Sequence, residues 1–174
     1  PINLGEGKLE GSKNNDLHYL KGLCYRAKGE ENVALQEFYL ATLGAEEIAN
    51  ALYYYDQSAD MSFFQALALF ALKDEKKAKA KCYKLIDYGK THMFDDVLLD
   101  YFAVSLPDLQ LWEEDLNTIN QAHCYYVIAL GYLGLKNKEK ATKYFDLCLS
   151  LNSTHKEAYI YSTWALVFCS CFLR

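Results

Sequence analysis

Apolar residues at Leu20, Leu23, Ala27, Ala34, Phe38 and Ala41 recur at three- and four-residue spacing, the period that gathers side chains on one seam of paired amphipathic helices. Asn15 and Asp16 are suited to cap the first helix, and Gly29 closes it by supplying the left-handed backbone that a helix end favours. The second helix is predicted over about residues 30–43, stopping at Gly44, and a shorter helical segment over 45–55. After Asp56 and Ser58 the pattern restarts: helices over 60–72 and 75–88 meet at the polar turn Lys73-Asp74, and Gly89 ends the later one. Residues 90–121 are less regular, with an apolar helical piece over 97–104, a break at Pro107 and the acidic cluster Glu113-Glu114-Asp115. A further helix pair, 116–135 and 138–151, joins at Lys136-Asn137. Thr154 and Glu157 have the spacing of a capping box for a last helix, and from Ala158 to Leu173 no charge occurs.

Within each of three helix pairs a small residue is followed twelve positions later by alanine: Gly22 and Ala34, Ala66 and Ala78, Ala129 and Ala141. Two helices approach closely only where both side chains are small, so these residues mark the crossing points of three helical hairpins. The chain reads as stacked helix–turn–helix units over 15–48, 59–92 and 122–155. A flexible lead-in over 1–14 precedes them, helical insertions over 49–58 and 93–121 separate them, and an apolar capping or packing helix over 156–174 follows.

Composition narrows what such a stack can do. With 174 residues, two prolines and 52% hydrophobic residues, the chain is one domain able to bury a core. Fifteen tyrosines supply rings with a polar tip, suited to half-buried helix faces and binding grooves. A net charge of −5 disfavours nucleic acid, because phosphate binding needs a concentrated basic face. The densest basic run, Lys76, Lys77, Lys79 and Lys81, lies beside Asp74 and Glu75 and reads as a solvated helix face. The uncharged C-terminal stretch is shorter than the about 20 residues that cross a bilayer, so no membrane partner is expected. It requires cover from a following repeat or from a second copy, a homodimer through residues 158–173.

Six cysteines show no C-x-x-C pair and read as free thiols in a reducing, cytoplasmic compartment. His18, His92, His123 and His155 have no metal-ligand spacing, so neither a metal nor a cofactor is expected. His123 beside Cys124 is not a nucleophile pair, since adjacent helical residues point about 100° apart. Asp95, Asp96 and Asp100 are expected on one helical segment, where acids coat a solvent face more readily than they flank a scissile bond. No catalytic residue is predicted.

The unit over 15–48 resembles a tetratricopeptide repeat, with Gly22, Tyr25, Gly29, Ala34, Phe38 and Ala41 at that family's signature spacing. The unit over 122–155 carries Tyr125, Ala129, Tyr132, Ala141 and Phe145 with Cys148 as the small residue, while 59–92 keeps Ala66, Leu69 and Ala78 and departs at Cys82 and Leu85. The resemblance implies an all-α fold of TPR-like helical hairpins stacked as a short right-handed superhelix. It also implies a concave face lined by the first helix of each unit, here Tyr19, Leu23, Arg26, Phe63, Leu67, Phe70, Tyr126, Leu130 and Leu133. The positions that clamp a peptide carboxylate in some relatives hold Tyr19, Leu23, Phe63, Phe64, His123 and Val127, none with a permanent positive charge. Asn3-Leu4-Gly5, the phrases over 53–57, 84–89 and 100–108 and the irregular spacing of the units look like the C-terminal repeat region of bacterial proteins with domain of unknown function 5107. That likeness implies a fragment of a larger bacterial protein. The expectation is a non-catalytic protein-interaction module that binds a protein, a peptide or its own parent chain. The alternative is a helical appendage that shapes or covers the catalytic part of a carbohydrate-processing enzyme.

Overall fold

A computed structural model describes residues 14–48, 58–97 and 115–167, and these form seven helices with no strand among them. They are α1 (Asn15–Ala27), α2 (Glu31–Ala41), α3 (Ala59–Ala71), α4 (Glu75–His92), α5 (Leu116–Gly134), α6 (Lys138–Leu151) and α7 (Lys156–Val167). Each hairpin partner packs on the other, and each hairpin stacks on its neighbour: α1 and α2 on α3, α3 and α4 on α5, α6 on α7. The architecture is the all-α, TPR-like helical repeat that the resemblance implies.

The three small-residue pairs lie inside it. Gly22, Ala34, Ala66, Ala78, Ala129 and Ala141 are all buried, and a Cβ added at Gly22 would sit 2.5 Å from the Phe38 ring. The turns between hairpin helices share one geometry. Glu30 N–H reaches Tyr25 C=O, Asp74 N–H reaches Leu69 C=O and Asn137 N–H reaches Tyr132 C=O, the six-to-one bond of a Schellman end. The residue before each donor has positive φ: Gly29 at 81°, Lys73 at 65° and Lys136 at 60°. Only the first is glycine, so the other two hold a strained left-handed backbone with a side chain on it. Lys73→Gly and Lys136→Gly should each raise the unfolding free energy by up to about 1 kcal/mol in a urea titration. A loss of stability on either change would show that the lysine side chain does more there than tolerate the turn.

Helix ends differ from the sequence reading in three places. Asn14, not Asn15, precedes α1; Asn15 is buried, and its Nδ2 donates to the carbonyls of Ala41 at 2.8 Å and Leu43 at 2.6 Å. Gln65 Nε2 donates to the same Leu43 carbonyl at 3.0 Å, so side chains from α1 and α3 satisfy the open end of α2. Gly89 does not end α4, which continues to His92. It lies inside the helix because α5 crosses there: a Cβ at Gly89 would stand 2.6 Å from the Cys124 carbonyl oxygen. Asp95 and Asp96 lie beyond α4 and are not helical, and Asp95 Oδ2 pairs with His92 Nδ1 at 2.6 Å while Asp96 accepts from Asn117. Residues 45–48 and Val97 are likewise outside any helix, and the remainder of the segments expected over 45–55 and 97–104, with Asp100, lies outside the described residues.

Cys82, Cys124 and Cys148 are free and buried, as a core thiol should be, whereas free Cys24 is exposed; Cys169 and Cys171 lie outside the described residues. Burial pushes the thiols of Cys82 and Cys148 up to about 12 and that of Cys124 to about 11, the opposite of what activates a nucleophile.

Candidate functional site

The face expected to bind a partner is built from the first helix of each hairpin, and the structure brings its residues together while covering most of them. Tyr19 on α1, Phe63 and Leu67 on α3, and Tyr126 and Leu130 on α5 are buried; Leu23, Arg26, Phe70 and Leu133 are half-buried. Tyr19 contacts Phe38 and Phe64, with both centroid distances 5.8 Å, and burial pushes its phenol up to about 12. Arg26 is committed to the fold: its guanidinium lies 4.5 Å from the Phe38 ring centroid, pairs with Glu31 and donates to the Ala71 carbonyl at the end of α3.

Against Phe63 and Tyr126 of the row lies α7. Tyr161 sets its ring against Phe63 at 5.9 Å, Phe64 at 6.3 Å and Tyr126 at 6.2 Å, and Trp164 stands edge-on to Phe64 at 6.2 Å. The Asp60 carboxylate at the start of α3 lies near enough to the Tyr161 hydroxyl to add to the rise in its pKa that burial causes. Tyr161 and Trp164 are three residues apart and therefore share one helix face; with Ala158 and Ala165 they form the covered side of α7, while Tyr159 and Ile160 point outward. Spacing alone did not single out Phe64, Tyr161 or Trp164. The available signal was an aromatic pair at i and i+3 within a charge-free stretch.

The start of α7 also departs from the predicted capping box. The Thr154 hydroxyl donates to Asn152 Oδ1 at 2.9 Å, and the helix starts at Lys156, one residue later than a Thr154 cap requires. His155 takes the place of the cap, its Nδ1 accepting the Ala158 N–H at 3.2 Å. Its ring lies against Tyr126 with centroids 4.6 Å apart and the planes tilted by 40°. Next to Tyr126 on α5 is His123, and the buried His123 Nε2 and Tyr126 Oη have no hydrogen-bond partner. Burial holds His155 below the ordinary imidazole value and, with His155 adjacent, pushes His123 down to about 4.

The third hairpin is the one whose identity the comparisons decide: the tetratricopeptide repeat model matches residues 122–155, from the second turn of α5 through α6 to the cap of α7. Residues 122–155 are therefore similar to a tetratricopeptide repeat. The other two hairpins share its turn geometry at the same register, since Gly29, Lys73 and Lys136 each stand five residues before the buried alanine of the second helix, Ala34, Ala78 and Ala141. No solved structure matches the chain. Of the phrases that resemble domain of unknown function 5107, those over 3–5, 53–57 and 100–108 lie outside the described residues, and the one over 84–89 is part of α4. Tetratricopeptide repeats generally mediate protein interactions rather than catalysis. Among the described residues no His, Cys, Asp and Glu cluster could hold a metal, and no helix is long and apolar enough to cross a membrane.

Proposed function

We propose that the chain is a non-catalytic protein-interaction module whose binding face is the aromatic row of α1, α3 and α5, and whose partner is an amphipathic helix bearing aromatic residues three positions apart. The supporting observation is the occupant already in place: Tyr161 and Trp164 of α7 lie on the rings of Phe63, Phe64 and Tyr126 as a bound helix would. The row is apolar, so recognition comes from ring packing and shape rather than from a charge clamp.

The test is a labelled peptide spanning residues 153–167, titrated into the full chain carrying both Tyr161→Ala and Trp164→Ala and into the unsubstituted chain. Fluorescence anisotropy should show saturable binding to the double variant and binding about tenfold weaker, a difference of about 1.4 kcal/mol, to the chain whose row is already covered. Equal binding to both, or none to a double variant with unchanged circular dichroism, would remove the row as a binding face.

A further inference from the structure

Helix α7 lies against Phe63, Phe64 and Tyr126, and a histidine starts it. His155 Nδ1 accepts the Ala158 N–H, so this cap exists only while that nitrogen is unprotonated. The side chain is only 16% exposed and its ring is pressed against Tyr126. Beside it, His123 Nε2 and Tyr126 Oη are buried without partners, so the surroundings are poorly prepared for an added charge.

We propose that α7 is an acid-released lid: a proton on His155 Nδ1 removes the cap, puts positive charge at the positive end of the α7 dipole, and frees Tyr161 and Trp164 from the rings of α3 and α5. The groups facing His155 argue in both directions. Asp60 from α3 and Glu157 from α7 itself, its carboxylate 3.6 Å from Nδ1, favour the proton. His123 and Tyr126 from α5, Tyr161 from α7 and Cys148 from α6 supply no negative charge, since burial raises both phenols and the thiol and keeps His123 neutral. Desolvation outweighs the two carboxylates and holds the closed-state value of His155 below that of a free imidazole. A base depressed in this way favours the closed form above its free pKa of about 6.5, and that advantage is lost progressively as pH falls below it. Glu157, two residues along, is then placed to pair with the imidazolium.

The release rests on the occupied-face reading only for what the opened row is used for, and its test contains no peptide. Trp164 is read by acrylamide quenching in the full chain carrying Trp112→Phe, alongside the binding of anilinonaphthalene sulfonate to the unsubstituted chain. From about pH 7.5 to about pH 5.5, quenching and dye binding should rise while the helical signal falls by no more than α7 contributes. In His155→Asn, whose amide caps a helix at any pH, the midpoint should move down by about one pH unit or more. An unchanged midpoint in His155→Asn overturns the proposal, as does Trp164 exposure that coincides with loss of the whole helical signal. Should Trp112→Phe disturb the fold at neutral pH, dye binding by the unsubstituted chain and by His155→Asn decides between the same outcomes. A lid that opens without peptide binding leaves the release standing and the binding reading refuted; peptide binding without acid release does the reverse.

Discussion

Phe63→Ala lowers the unfolding free energy by about 3–5 kcal/mol, a large part of the stability of a domain this size. The ring is 1% exposed and touches Phe64 at 5.7 Å from its own helix and Tyr161 at 5.9 Å from α7. It also reaches the second hairpin's neighbour, since a Cβ on Gly134 of α5 would lie 3.6 Å from it. Truncation therefore removes contacts in three elements at once, and the helices cannot close the space without breaking the α3 to α5 packing that stacks the repeats. Urea titration followed by circular dichroism measures it, with Phe94→Ala, at 79% exposure, as the reference expected to change little. A loss below about 1 kcal/mol at Phe63 would mean that the ring is lining rather than core. The same reasoning explains why Tyr161 and Trp164, and not the row itself, are the residues to change in a binding test. Replacing Tyr19, Phe63 and Tyr126 together would unfold the module before it reported on a partner.

The hairpins were legible because they are local. Gly22, Ala66 and Ala129 and the alanines twelve positions on declare a close crossing through nothing more than side-chain size, and all six are buried. Tyr19, Phe63 and Tyr126 lie buried in one core cluster, and what packs against them was not legible in the sequence. That depends on Tyr161 meeting Phe63 and Phe64 across the whole intervening chain, and helical period carries no record of such a contact. Glycine was ambiguous for a different reason. Gly29 is a helix end with φ of 81°, and Gly89 is a helix interior where another backbone passes; both residues look alike in sequence because one needs freedom of φ and the other needs only the absence of Cβ. At α7 the rule that prefers Ser or Thr as a cap selected Thr154, while the helix begins one residue later, at Lys156, and the cap falls to His155.

The closeness of α4 and α5 gives the other large effect. Gly131→Leu should destabilise by about 3 kcal/mol, and Gly131→Ala by less but still measurably. A Cβ at Gly131 would stand 2.7 Å from the Cys82 carbonyl oxygen and 2.6 Å from Ile86 Cγ1; one at Gly89, on the facing helix, would stand 2.6 Å from the Cys124 carbonyl oxygen. Ile86 can turn away, but a backbone carbonyl inside a helix cannot, so the helices themselves must separate. Alanine gains about 1 kcal/mol over glycine in helix propensity, which offsets part of that cost and none of what leucine's further carbons add. Gly22→Ala is the informative contrast, because its added Cβ meets the ring of Phe38 rather than a backbone, and a ring in the seam of one hairpin has some room to tilt. Urea titrations should therefore order the three changes with Gly131→Leu worst, then Gly131→Ala, then Gly22→Ala. If Gly131→Ala proved stabilising, helix propensity would have won, and the α4 to α5 crossing would be looser than two backbones held apart by glycine alone.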